Sequence, residues 1–302
     1  MLFSLSIQTK YLIQGITGKE GRRAATWMQL GGAQVLAGVS PGHGGEVVEG
    51  VPVYDSVAEA LQAHPDTTVS SIYVPPKFVK VAATEAVKAG ISLIHIIAEQ
   101  VPTRDSVDLL ELVKQKNARM LGPSSVGVVT TGTALGSLGG GVFENFLFPK
   151  ANSPGVALIS KSGGMANTVA SLLTAAQIPQ TIVAGIGGDR VIGTTFADVL
   201  PELEADVQTK ALVIIGEIGG SAEEDLATAL KSRHFTKPVI AYISGIFAET
   251  LPKGIAFGHA GAIVDAQFGT RKSKIDALSA VGVHLAQNPE EIVKQLKKVV
   301  QL

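Results

Sequence analysis

Cysteine is absent from the 302 residues of this chain. That removes disulfides, thiolate nucleophiles and Cys-ligated zinc from the chemistry to be considered. Charge is scarce and evenly signed: 25 Lys and Arg stand against 26 Asp and Glu, a net charge of −1. Such a balance provides no basic field for nucleic acid and no polybasic patch for a membrane surface. No apolar run approaches the length of a membrane span, and the opening Met1-Leu2-Phe3-Ser4-Leu5 is too short and uncharged for a secretory signal. The expected location is therefore the cytoplasm, or a mitochondrial matrix. What the chain has in quantity is glycine, 34 residues of it. Most fall just after apolar runs, where backbone must turn tightly or approach another group closely.

The length suits one large or two medium domains. Tyr11-Leu12-Ile13 reads as a strand ending in Gly15-Ile16-Thr17-Gly18-Lys19-Glu20-Gly21. A helix follows with Ala24, Trp27 and Met28 at inward spacing. Gln34 to Val39 is a second strand, closed by Ser40-Pro41-Gly42-His43-Gly44-Gly45. Asp55 or Ser56 caps a helix to Ala63. Strands over 69–74, 91–97 and 119–121 then alternate with helices over 78–89 and 103–116. Residues 128–153 break this rhythm and read as a linker or excursion, after which it restarts. Val156 to Ile159 leads to Ser160-Lys161-Ser162-Gly163-Gly164 and a helix, Thr181 to Ala184 to Gly185-Ile186-Gly187-Gly188-Asp189, and Ala211 to Ile215 to Gly216-Glu217-Ile218-Gly219-Gly220. Val239 to Ile243 precedes the segment that holds His259, and Pro289 to Val300 is an amphipathic helix. Strands alternating with helices of this length indicate parallel βαβ units. Two doubly wound α/β domains are expected, with ligands at the carboxyl ends of their strands.

Each candidate site has a plain alternative. Gly15-x-Thr17-Gly18-x-x-Gly21 is not the dinucleotide spacing; it is either a tight βα turn or a phosphate site at a helix N-terminus. An NAD site also wants an acid at the end of the second strand, and Ser40 stands there. That points to another phosphorylated adenine ligand. His43 is a phosphate or pantetheine contact, or a solvated turn histidine. Ser162 is a helix cap or part of an anion site. Asp189 and Glu217 orient an imidazole or a metal, or cap the helices that follow. His259, between Gly258 and Ala260-Gly261-Ala262, is a loop histidine without a task or an uncovered nucleophile. Beside a phosphate-binding helix end, a neutral imidazole nitrogen suits covalent phosphoryl relay.

Together these turns resemble the alpha subunit of succinyl-CoA synthetase, nearly end to end. The matching stretches are Gln14-Gly15-Ile16-Thr17-Gly18, Pro41-Gly42-His43-Gly44-Gly45, Gly122-Pro123, Ser160-Lys161-Ser162-Gly163, Gly185 to Asp189, Gly216 to Glu224 and Gly258-His259-Ala260-Gly261-Ala262. The resemblance implies a Rossmann-like CoA-binding domain over 1–127, the excursion over 128–153 and a flavodoxin-like ligase domain over 154–302. It implies CoA contacts at Thr17, Gly18, Lys19, Glu20, His43, Ile97, Ala98 and Glu99. It implies a phosphate and substrate site at Ser162, Gly163, Gly164, Asn167, Gly219 and Gly220, phosphorylation of His259 and no resident metal. The implied activity is an NDP-forming acid–CoA ligase working through phosphohistidine and acyl phosphate. ATP or GTP with Mg²⁺ is then held mainly by an ATP-grasp beta-type partner, in a heterodimer or heterotetramer.

The chain departs from that pattern in places. Ser124-Ser125-Val126 stands for Asn-Cys-Pro, Thr168 for a Glu thought to steady the phosphohistidine, Asn167 for a Tyr and His43 for a Lys. The stretches around Ser124, Gly163 to Asn167 and Gly188-Asp189-Arg190 look more like ATP-citrate lyase and citryl-CoA synthetase. The expected substrate is succinate, citrate or a related acid. A CoA- or acyl-CoA-binding protein without catalysis is the alternative that Thr168 motivates, and an NAD-dependent dehydrogenase is a third.

Overall fold

The computed structural model describes residues 5–232, 234–246 and 269–300. The chain divides into two compact units, one of Met1–Phe143 with Val191–Thr194, the other of Glu144–Arg190 with Thr195–Leu302.

In the first unit, β1 (Lys10–Gln14), α1 (Lys19–Leu30), β2 (Gln34–Val39), β3 (Val47–Val48), β4 (Val51–Tyr54), α2 (Val57–Ala63), β5 (Val69–Ile72), α3 (Val79–Lys88), β6 (Leu93–Ile96), α4 (Thr103–Gln115) and β7 (Arg119–Leu121) follow one another. The sheet order is β3-β4-β2-β1-β5-β6-β7, parallel except for β3 against β4. The central strands β5 and β6 are buried at every position, as expected of strands covered on both faces. α1 turns Gly21, Ala24, Ala25 and Met28 to the core. Its three small residues bring helix and sheet close, and Met28 alone contributes roughly 1.5–3 kcal/mol by leaving water. Trp27, expected inward, is only half-buried: its ring lies against Gly141 and beneath the Arg23 guanidinium, 4.6 Å from the centroid. Ser56, not Asp55, caps α2 by accepting from Glu59 N–H.

Residues 128–153 differ from a simple linker. β8 (Gly127–Thr130) and β9 (Thr133–Gly136) pair as an antiparallel hairpin. Tyr11 and Thr133 hydroxyls meet at 2.8 Å in the interior, tying this hairpin to β1. From Glu144 onward the stretch belongs to the second unit, where Leu147 N–H donates to Gln180 and Thr174 oxygens. The Gly and Thr content that suggested looseness marks close backbone approach instead: a Cβ on Gly127 would lie 1.9 Å from Leu135 O.

The second unit runs β10 (Gly155–Ser160), α5 (Gly163–Ala175), β11 (Gln180–Gly185), α6 (Phe196–Ala205), β12 (Thr209–Glu217), α7 (Ala222–Ser232), β13 (Val239–Ser244), α8 (Arg271–Ser279), β14 (His284–Ala286) and α9 (Pro289–Val299). Its parallel strands lie in the order β14-β13-β12-β10-β11. β10 and β11 are buried throughout. Both units are thus doubly wound α/β sheets with parallel cores, as the alternation predicts. No helix among the described residues is long and apolar enough to cross a membrane.

Candidate functional site

In the first unit, the β1–α1 turn is built around three glycines. Gly15 has φ +79°, and a side chain there would meet Tyr73 O at 2.6 Å. A Cβ on Gly21 would stand 2.2 Å from Gly15 O, so only glycine lets α1 begin this close to the strand end. Gly18 caps α1 without any side-chain bond, and Gly18, Lys19 and Glu20 are exposed. Amides at the start of α1 therefore have no partner within the helix and face outward, which suits a phosphate. Thr17 is half-buried and donates through Oγ1 to Ser40 Oγ at 3.0 Å. The end of β2, where a dinucleotide fold would offer a carboxylate, thus presents a neutral hydroxyl that Thr17 already engages.

His43 sits in the neighbouring turn after β2. Its ring is half-exposed, with Nδ1 2.8 Å from Glu46 Oε1. Asp55, just past β4, holds this turn from below: Oδ1 accepts from Gly42 N–H at 2.6 Å and Gly44 N–H at 3.0 Å. Ile97, Ala98 and Glu99 follow β6, beyond β5 from β1. Ala98 O accepts from Ser124 N–H at 2.8 Å, which fixes the 122–125 turn beside them. Behind that turn lies a polar chain that sequence reasoning missed. His95 is fully buried, its Nε2 donates to Ser125 O at 3.0 Å, and its Nδ1 accepts from Ser71 Oγ at 2.8 Å. Burial pushes this imidazole down to about 4, against a smaller opposing effect of the Ser125 carbonyl.

In the second unit, Ser162 caps α5 through Met165 N–H, and Gly163-Gly164 form its first turn, with Gly164 exposed. Ser160 Oγ accepts from Ser162 N–H and donates to Ser162 O, which sets the angle at which the chain enters the helix. Lys161 and Glu217, at the ends of adjacent strands β10 and β12, form a buried ion pair at 3.1 Å. Glu217, read as a helix cap or an imbidazole or metal partner, therefore has a lysine as its neighbour. Asp189 is buried just beyond β11. Gly219 and Gly220, with φ +88° and +59°, follow β12. Lys274 of α8, fully buried, supports them: its ammonium donates to Gly220 O and Glu224 and pairs with the fully buried Glu223. Neither Lys161's partner nor the Glu223–Lys274 pair was legible beforehand, since each joins residues more than fifty positions apart.

Asn167 is half-buried in α5, one turn beyond Gly163-Gly164. Thr168 is exposed and donates through Oγ1 to Gly164 O at 3.1 Å, so its hydroxyl is spent on its own helix. His259 lies outside the described residues. The residues flanking 247–268 return to the β12 end: Ser244 Oγ donates to Gly216 O at 3.0 Å, and Gly269 O accepts from Gly219 N–H at 2.7 Å. The structure thus brings Ser162–Gly164, Asn167, Gly219 and Gly220 to the carboxyl ends of neighbouring strands, and Thr17–Glu20 with His43 to another such edge.

Comparison with known proteins agrees with this layout. A CoA binding domain model matches residues 6–100, and a CoA-ligase model matches residues 159–284. The alpha 2 subunit of the ADP-forming succinate–CoA ligase of Archaeoglobus fulgidus is 40% identical over 294 residues, covering 97% of each chain. The chain belongs to the alpha-subunit family of ADP-forming CoA ligases. Within that family, a subunit of the ADP-forming sulfoacetate-CoA ligase of Bilophila wadsworthia is 38% identical over 96% of each chain. Among solved structures, an ATP citrate lyase of Methanosaeta concilii in complex with (3S)-citryl-CoA superimposes with a TM-score of 0.86 at 25% identity. All of this chain is covered, and 53% of that one, so this ligase-family member spans about half the lyase. Its enzyme class is that of an acid–CoA ligase, and its first unit is of the CoA-binding type.

Proposed function

We propose that this alpha-type subunit joins a small carboxylic acid to CoA through a phosphate carried on His259. The γ-phosphoryl group of ATP or GTP, held with Mg²⁺ by an ATP-grasp beta-type partner, passes to an imidazole nitrogen as the nucleoside diphosphate leaves. A carboxylate oxygen then attacks phosphorus and the imidazole departs, giving an acyl phosphate. The CoA sulfur attacks the acyl carbon last, and inorganic phosphate leaves. Ser162, Gly163 and Gly164 at the start of α5 and Gly219-Gly220 after β12 hold the transferring phosphate by backbone amides and helix dipole. Asn167 faces the acid from α5. Thr17, Gly18, Lys19, Glu20 and His43, with Ile97, Ala98 and Glu99, contact CoA.

The observation that carries this reading is the convergence at the β10 and β12 ends. An open helix N-terminus, a paired-glycine turn and both flanks of the segment containing His259 meet there. The acid is read as short and carrying a second anionic group, a description that fits succinate and citrate as well as the sulfoacetate named for one relative. The test is co-purification with a beta-type subunit, followed by labelled ATP or GTP and Mg²⁺. Acid-labile, base-stable label on wild type and none on His259→Asn is expected. CoA consumption across succinate, citrate, sulfoacetate and acetate then identifies the acid. Thioester formation by His259→Asn at the wild-type rate would sink the phosphohistidine route, and no label with a competent partner would favour a non-catalytic CoA binder.

A further inference from the structure

The segment Pro41–Gly45 owes its shape to a residue outside it. Gly42 and Gly45 take φ of +82° and +89°, and the space where their side chains would be is open. A turn with so few side chains has little of its own to prevent it from sampling many conformers. Strand-type bonds fasten its margins: Ser40 N–H donates to Tyr54 O, and Gly45 N–H to Val53 O. Within the turn, His43 N–H donates to Ser40 O and Glu46 N–H to His43 O. The two glycine amides of the middle are held from outside the turn, by one Asp55 carboxylate oxygen that accepts from both Gly42 and Gly44 N–H. The fit is close, because a Cβ on Gly44 would stand 2.6 Å from Asp55 Oδ2. Asp55 has no capping duty to explain it, since Ser56 holds that position for α2.

We infer that Asp55 is a positioning residue for CoA: it pre-forms the turn that presents His43, and so sets CoA affinity without touching the ligand. This inference rests on the CoA-binding role proposed for that turn. Hydrogen bonds to a charged acceptor are the stronger kind, and a loop held in its bound shape does not have to be ordered when ligand arrives. The position of the acceptor matters most here, and its charge adds a smaller part. An asparagine keeps an acceptor oxygen at the same place, whereas alanine keeps none.

The test uses the full chain, with CoA titrated calorimetrically and amide exchange followed without ligand. Asp55→Ala is expected to weaken CoA binding about tenfold, corresponding to ~1.4 kcal/mol. Asp55→Asn is expected to bind within about threefold of wild type, the size of change that a retained acceptor with lost charge implies. The amides of Gly42 and Gly44 should exchange faster in Asp55→Ala than in wild type, and be protected again in Asp55→Asn. Equal CoA affinity in wild type and Asp55→Ala overturns the inference, as does unchanged exchange at those two amides. Should wild type itself fail to bind CoA, the role proposed for the turn fails, and the exchange data alone judge the bracket. If Asp55→Ala does not fold, Asp55→Asn binding more than about tenfold weaker than wild type overturns the geometric account.

Discussion

Lys161 Nζ lies 3.1 Å from Glu217 Oε1 across the ends of β10 and β12, with the side chains only 6% and 9% exposed. Taking two charges out of water is costly, and each is tolerated here because the other is present. Removing one partner by Lys161→Met or Glu217→Gln is expected to destabilise the protein by about 3–5 kcal/mol. The double variant should recover part of that loss. Urea unfolding of all four proteins gives the cycle, and strictly additive single losses would show that the pair is not coupled.

A second expectation concerns acid. His95 has an ordinary value near 6.5 when unfolded and about 4 when folded. Between those values the unfolded chain binds the extra proton, so stability falls as pH drops from 6.5 towards 4 and levels off below. Each unit corresponds to 1.36 kcal/mol, so this one residue accounts for about 3 kcal/mol of the decline. His95→Gln should be less stable at neutral pH yet show a shallower fall across this window. Parallel stability profiles for the two proteins would contradict the assignment.

The two glycines of the β1–α1 turn should answer differently to the same methyl group. At Gly21 the added Cβ meets backbone at 2.2 Å and 2.8 Å, which no rotamer relieves. Gly21→Ala is expected to cost about 1–3 kcal/mol, the range for overpacking, and to weaken CoA binding because the start of α1 must move. At Gly18 the nearest atom is 3.3 Å away and φ is not positive, so Gly18→Ala is expected to cost less, about 0.5–1 kcal/mol by thermal unfolding, chiefly because alanine is a poorer helix N-cap than glycine.

Thr168 offers a fourth test. Its hydroxyl is committed to Gly164 O within α5 and faces solvent. Thr168→Val should therefore leave His259 labelling within about twofold and stability within about 0.5 kcal/mol, as for an exposed position away from the core. Thr168→Glu should speed labelling by supplying a carboxylate. A large loss in Thr168→Val would assign this threonine a direct part in phosphoryl transfer.

The alternation of strands and helices was legible because buried parallel strands are nearly continuous apolar runs closed by glycine, as in Val156 to Ile159 and Ala211 to Ile215. Those runs put Thr17, Ser162 and Gly219 at strand ends with no structure in hand. Trp27 was misjudged because period alone does not report that Gly141 and Arg23 would share its surface. The hairpin over 127–136 was lost in a stretch whose glycines read as slack. Asp55, His95 and Lys274 were invisible as supporting residues for a common reason. Each works through a partner distant in sequence, and local pattern carries no record of tertiary contact.

The hydroxyl of Ser40 has a consequence for ligand choice. A carboxylate at that strand end would repel a nearby phosphate by about 1 kcal/mol at 4 Å even in water, and by more in a sheltered cleft. With Ser40 already accepting from Thr17, a sugar phosphorylated on its ring approaches without that opposition. A cofactor with bare ribose hydroxyls finds no anion there to grip them. On the CoA-binding role proposed for this turn, one uncharged side chain is therefore expected to favour an adenosine derivative phosphorylated on its ribose over one that is not.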